Sequence, residues 1–314
     1  MCYSAIVVDA FMAYASDNLL GMDIDEFEAT YYPEEREKRK DRIRRKHGKT
    51  LKGMDDLVRR AWPDIGAMID ERDTAEISKL EQEVFKQAKR LADAERALEV
   101  KPTKKASEDQ RIATNKIGQI KAKLGDLKRR ESKPKDWRFF PGIWVPVIVS
   151  EGGKRVVKPM RYGCRPAGKP AFYDIKYPGT YNARRDNLEG FWKGTFGVSH
   201  GLVVVSTFFE NVEINGKNER LQFTPKDRSD MLVACLWSHW TDPTGKEPDL
   251  LSFAAITDDP EPEVAAAGHD RTIINIKPEH MDAWLNPEGD LQAMYAIFDD
   301  KQHPYYEHRL EKAA

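Results

Sequence analysis

The sequence predicts an α+β protein in which a mostly antiparallel β region with flanking helices is interrupted near its start by an inserted helical hairpin. Three observations predict it. Residues from about 31 to 130 are rich in charge, poor in Gly and Pro, and place apolar residues at three- and four-residue spacing. From Trp137 onward, short β-branched and aromatic runs alternate with Gly-, Pro- and Asn-containing turns. Ahead of both lies a short apolar stretch at residues 3–14 whose strand needs partners from the later β region.

Taken in order, YSAIVVDAFMAY at 3–14 reads as a strand followed by the start of a helix. The basic run at 36–46 reads as the solvated face of a helix in preference to a phosphate-tracking patch. Ile77, Leu80, Val84, Leu91, Ala94 and Leu98 form one apolar stripe, with Gln87 as its polar exception. A second stripe runs through Ala113, Ile117, Ile120, Leu124 and Leu127, and Ser107 with Gln110 supplies a capping-box start for its helix. Two such helices joined by a short polar loop cover each other's stripes as an antiparallel, coiled-coil-like arm at about 73–130. The β region follows: VPVIV, GLVVVSTFF, MLVACLW and LSFAAITDD read as strands, with helices near 280–285 and 291–298. The chain thus divides into a discontinuous globular unit, residues 1–20 and 134–314, and a charged insertion, residues 21–133.

Composition narrows the classes. With 51 basic and 52 acidic residues the net charge is −1, so overall charge gives no reason to expect nucleic acid and local clusters must decide. Three cysteines, Cys2, Cys164 and Cys235, are too few and too scattered for a disulfide framework or a zinc site, and no cofactor or metal is implied. No apolar run reaches transmembrane length and the start lacks a basic n-region. The expectation is a cytoplasmic protein without membrane contact.

The chemistry starts at Cys2. Removal of Met1 would leave an N-terminal cysteine, whose α-amine and thiol are both partly nucleophilic near neutrality. The amine can condense with an aldehyde and the thiol can then close a five-membered thiazolidine. Downstream, Asn182 follows a Pro-Gly turn, Glu210 ends an apolar strand, His269-Asp270-Arg271 precedes TIINI, and two arginines, Arg161 and Arg165, surround a turn. Each has an ordinary alternative: a turn residue, a rim carboxylate, a satisfied polar group, an ion pair. Together they supply the acid, base, donor and cations that such a condensation on a phosphodiester requires.

These segments resemble the SRAP family (SOS response-associated peptidase). The chain begins Met-Cys as the family does. Arg138-Phe139-Phe140-Pro141 through Val145-Pro146-Val147 resembles its R-Y-N-x-x-P-T…P-V segment, and Met160-Arg161-Tyr162-Gly163-Cys164-Arg165-Pro166 its M-R-W-G-L-x-P element. Asn182-Ala183-Arg184-Arg185-Asp186 is similar to N-A-R-x-E, Phe208-Phe209-Glu210-Asn211 to F-(Y/F)-E-W, and His269-Asp270-Arg271 to H-D-R. The resemblance covers somewhat over half of the chain and departs from the family at Tyr3, Tyr162, Asp186 and Asn211. It is silent about the helical insertion.

The resemblance implies a barrel-like antiparallel core and a covalent thiazolidine crosslink between Cys2 and abasic sites in single-stranded DNA. It assigns proton transfer to Glu210 and His269, a hydrogen-bonding role to Asn182, and phosphate contacts to Arg184, Arg271 and Arg161. It also implies self-processing peptidase and AP-lyase activity and a location at DNA. Two alternatives stand beside it: a non-catalytic DNA-binding or partner-recruiting protein, and a cysteine hydrolase acting on amides. The insertion is expected to bind a protein partner, DNA or a second copy.

Overall fold

A computed structural model describes residues 4–7, 21–22, 49–61 and 63–311. Cys2, Tyr3 and the basic run at 36–46 lie outside the described residues. Strands β1 (Ser4–Val7), β2 (Gly21–Met22) and β3 (Lys49–Thr50) precede helices α1 (Lys52–Ala61), α2 (Pro63–Val100) and α3 (Lys104–Lys128). Then come β4 (Arg138–Phe139), β5 (Ile143–Glu151), β6 (Lys154–Tyr162), α4 (Tyr173–Lys176) and β7 (Asn182–Arg184). The remainder is β8 (His200–Ile214), β9 (Lys217–Pro225), β10 (Met231–Trp240), β11 (Leu250–Asp258), α5 (Pro262–Ala266), β12 (Thr272–Ile273), α6 (Met281–Leu285), α7 (Leu291–Asp299) and β13 (Tyr306–Leu310).

The described residues fall into two compact units, 58–133 and the rest. In the larger unit, β8 is the organising strand. Its 15 residues pair with β1, β9 and β10 and touch β5. The path β13-β9-β8-β10-β11-β6-β5 returns to β8 through a single pair, Ile148↔Leu202, so β8, β10, β11, β6 and β5 make a ring of strands. The barrel-like core implied by the resemblance goes no further than this ring. Most pairings are antiparallel, but β6 runs parallel to β11, which joins one antiparallel set to the other.

Glycine makes the ring's closing pair. A Cβ on Gly201 would lie 2.9 Å from a Val147 methyl, 3.1 Å from Cys235 sulfur and 3.2 Å from the Ile148 carbonyl oxygen. Only a residue without a side chain lets β5 and β8 approach this closely. Alternating apolar side chains fill the interior, with Leu202, Val204, Phe208, Phe223 and Ile256 fully buried. Helix α6 docks on the start of β8. The buried His200 donates from Nδ1 to the Trp284 carbonyl at 3.0 Å and accepts the Gly197 N–H at Nε2, while burial pushes its pKa down to about 3.

The strands seen in the sequence are β1, β5, β8, β10 and β11. β6, β9 and β13 were missed because KRVVKPMRY, KNERLQFTP and YEHRL carry charged side chains that interrupt the apolar pattern and imitate loops.

In the smaller unit, α2 and α3 pack antiparallel across a turn at 101–103. Arg90–Asp109 (2.5 Å), Lys128–Glu81 (2.7 Å) and Lys123–Glu76 bridge them. Ala94, Ala106 and Ala113 are buried and let the backbones come close. Gln87, the polar exception in the stripe, is buried too and donates to Glu83 at 2.7 Å. Two boundaries differ from the sequence reading. Helix α2 begins at Pro63, and α3 is capped by Thr103, whose hydroxyl accepts the Ala106 N–H at 3.1 Å. The expected cap, Ser107, lies inside the first turn, because Thr103 adopts the extended conformation that an N-cap needs.

Candidate active site

Glu210 lies near the end of β8 on the face shared by Phe208 and Val212, and only 1% of it is exposed. Opposite it stands His269. Helix α5 ends at Ala266 with Ala267 as its C-cap, and Gly268 takes a φ of +94°, which a side chain would strain. A Cβ there would touch Val212 of β8 at 4.0 Å, so this glycine carries the chain close against the strand. The turn delivers the His269 imidazole with Nε2 at 3.3 Å from a Glu210 carboxyl oxygen.

The two groups shift in opposite senses for the same reason. Burial raises the Glu210 carboxyl to about 8, and burial lowers the His269 imidazole below its ordinary value. Both shifts favour the uncharged forms. His269 Nδ1 lies 2.8 Å from the Arg271 carbonyl oxygen and 3.3 Å from the Arg271 backbone nitrogen, so the turn holds the ring from that side and leaves Nε2 facing Glu210. A neutral carboxylic acid beside a neutral imidazole can release a proton near pH 7 and take one back.

Asn182 begins β7, pairs with Ala255 of β11 and is buried. Its Oδ1 accepts from the Tyr162 hydroxyl at 3.3 Å. Tyr162, named in the sequence only as a departure from the family element, is the side chain that holds Asn182. Its phenol sits among Phe139, Tyr181 and Phe253, with ring centroids 5.1–5.6 Å away. The signal was available, because replacing Trp by Tyr in the family element adds a hydroxyl at this place.

The three arginines fare differently. β11 pairs through Thr257 with both Arg184 and Ile273, so the segments carrying Arg184 and Arg271 flank one strand. Arg184 is exposed and forks onto Asp186 at 2.9 and 2.6 Å, while Arg271 reaches Asp270 at 3.4 Å. Arg161 is a correction to the sequence reading. It is 3% exposed, bonded to Asp174 at 2.7 Å and to the Gly163 carbonyl at 2.9 Å, and shares Asp174 with buried Arg165. Its guanidinium anchors the loop after β6 and is not presented to a phosphate.

The other two cysteines are not nucleophiles. Cys164 and Cys235 are fully buried, and burial pushes the Cys164 thiol up to about 12 and raises that of Cys235 as well. Cys2 lies outside the described residues; Ser4, two positions after it in the sequence, sits opposite Phe209, the neighbour of Glu210. Among the described residues, no group of three or more His, Cys, Asp or Glu gathers as a metal site, and no helix is long and apolar enough to cross a membrane.

The site is thus a buried carboxyl–imidazole pair, Glu210 on the central strand β8 and His269 on the turn after α5. The family follows from comparison: the model for "SOS response associated peptidase (SRAP)" matches residues 103–311, about two thirds of the chain, and the chain belongs to that family. Membership associates it with the DNA-damage response. The match begins at Thr103, so Cys2 falls before it.

Three solved structures are similar to this chain. A protein from Bordetella bronchiseptica is 18% identical, with a TM-score of 0.46 over 56% of this chain and 88% of its own. A protein from Bacteroides thetaiotaomicron is 17% identical, with a TM-score of 0.48 over 56% and 78%. A phage-related protein from Bordetella bronchiseptica is 16% identical, with a TM-score of 0.43 over 56% and 82%. Comparison with curated proteins finds no significant match.

Proposed function

We propose that this protein captures abasic sites in single-stranded DNA through Cys2. With Met1 removed, the α-amine attacks the open-chain aldehyde, the resulting carbinolamine loses water to give an imine, and the Cys2 sulfur adds to the imine carbon while nitrogen takes the thiol proton. The product is a thiazolidine, and the net change is loss of one water. The observation that carries this reading is the Glu210–His269 pair, a proton donor matched to neutral pH at 3.3 Å from a neutral base. Glu210 gives a proton to the opening sugar oxygen or the departing hydroxyl, and His269 relays it back. Asn182, oriented by Tyr162, donates to substrate oxygens or to the amine.

Chain reach supports the assignment of the nucleophile. Two residues of backbone extend at most about 7 Å, which bounds the distance from Cys2 to Ser4 beside Phe209 and Glu210. Arg184 and Arg271, on segments flanking β11, serve as phosphate contacts that hold the strand without reading sequence. Self-processing ahead of Cys2 and β-elimination from the imine belong to the same proposal as side activities.

The test is a denaturing gel with an abasic single-stranded oligonucleotide. Wild-type protein should give a heat-stable adduct, Cys2→Ala should not, and the intact mass of the wild type should lack Met1. An undiminished stable adduct from Cys2→Ala would sink the mechanism. Binding without any adduct would favour the non-catalytic alternative, and amide turnover without DNA would favour the hydrolase.

A further inference from the structure

Strand β1 sits between β4 and β8, with Ile6 opposite Arg138 and Ser4 opposite Phe209. Residues directly opposite one another, and residues two apart on a strand, share a face. Ser4, Ile6, Arg138 and Phe209 therefore lie on one face, and Glu210 on the other. On the first face the Arg138 guanidinium stacks 3.6 Å from the Phe209 ring centroid and donates from Nε and Nη2 to Ser4 Oγ at 3.2 and 3.0 Å. Its Nη1 pairs with Glu311, near the far end of the chain. Arg220 reaches the other Glu311 oxygen at 3.0 Å. Burial alone would push the Glu311 carboxyl up, but the bonds from these two arginines outweigh it and hold it below its usual range.

Such a clamp exceeds what pairing of a strand requires. The described part of β1 is four residues long, and a ladder this short holds its end weakly. The guanidinium is fastened to its first residue, two positions after Cys2. We propose that Arg138 is a positioning residue for the amine–thiol nucleophile, an inference that rests on the reaction proposed above. Through Ser4 it fixes the first described residue of β1, two positions after Cys2 in the sequence. Glu311 and Arg220 orient the guanidinium. Lysine cannot substitute, because one ammonium does not stack flat on Phe209 while donating to both Ser4 and Glu311.

The experiment compares wild type, Arg138→Ala and Arg138→Lys by three measurements. These are hydrogen exchange at the amides of residues 5–7, the rate constant for crosslinking abasic single-stranded DNA, and the Kd for an oligonucleotide carrying a tetrahydrofuran analogue that cannot open to an aldehyde. Arg138→Ala should speed exchange in β1 and slow crosslinking, each roughly tenfold or more, the range of a lost charge-assisted bond. Its Kd should stay within about twofold of wild type. Low millimolar guanidinium should restore part of the rate to Arg138→Ala, and Arg138→Lys should remain slow.

Unchanged β1 exchange, or a rate loss matched by an equal loss in Kd, overturns the inference. If the wild type forms no adduct, the proposed reaction fails while exchange still decides the clamp. If the wild type reacts and Arg138→Ala reacts equally fast, only the clamp fails. Should Arg138→Ala not fold, Glu311→Gln carries the same readouts, with smaller changes expected in the same direction.

Discussion

Replacing Glu210 by Gln tests the protonation state on which the proposed chemistry depends. The folded protein holds the Glu210 proton to about pH 8, whereas an unfolded glutamate releases it at about 4.3. A proton bound more tightly in the folded state stabilises that state in acid. The contribution is whole below about pH 4.3 and is lost as pH rises through about 8. Gln keeps the shape and stays neutral, so its stability curve lacks this loss. The linkage relation gives a wild-type penalty, relative to Glu210→Gln, that grows by about 2.5 kcal/mol from pH 5.5 to 7.5. Close to half of it, about 1.2 kcal/mol, falls between pH 6.5 and 7.5. His269 is present in both proteins, so the slope from its own titration, which in the unfolded chain is centred at about pH 6.5, cancels from the difference. Urea unfolding at constant ionic strength measures the difference. Tryptophan fluorescence is a suitable signal, since every tryptophan except Trp62 belongs to the sheet unit. A difference that stays flat from pH 5.5 to 7.5 would mean that Glu210 is already ionised at neutrality. It could not then deliver the proton that the mechanism assigns to it.

Three further outcomes are expected. Gly201→Ala should destabilise the sheet unit by about 1–3 kcal/mol in urea unfolding, because its Cβ would press on Val147, Cys235 and the Ile148 carbonyl where the ring closes; an unaffected midpoint would show that β5 and β8 separate freely. Arg184→Ala and Arg271→Ala should each weaken binding to all single-stranded sequences alike and reduce the salt slope by about one unit, read by fluorescence anisotropy at several salt concentrations. Loss confined to particular sequences would indicate base reading instead. Deleting residues 73–130 and bridging the ends with a Gly/Ser linker should leave a soluble protein that still crosslinks abasic DNA, whereas an insoluble or inert product would contradict the proposed division of the chain.

Local pattern was enough to reveal the apolar strands and the hairpin. The alternating runs of β5, β8, β10 and β11 and the three-four stripes of α2 and α3 record which residues must face inward, and that demand is written within each segment. The candidate site residues were legible as well, since Asn182, Glu210 and His269 stand in the order of the family's motifs. Other features depended on distant partners. The charged strands β6, β9 and β13 become strands only because a neighbour offers its edge, and Thr103 caps α3 because the turn places it in the extended conformation. Arg161 read as a surface cation until Asp174 and Arg165 buried it. A glutamate's sequence neighbours do not reveal whether water reaches it, and Glu210 owes its raised pKa to exclusion from solvent. His269 reaches it through the turn that Gly268 makes at a φ of +94°. Sequence determined which chemical groups the site contains. Tertiary structure decided their charge, because desolvation is set by everything packed around a group and not by the segment that supplies it.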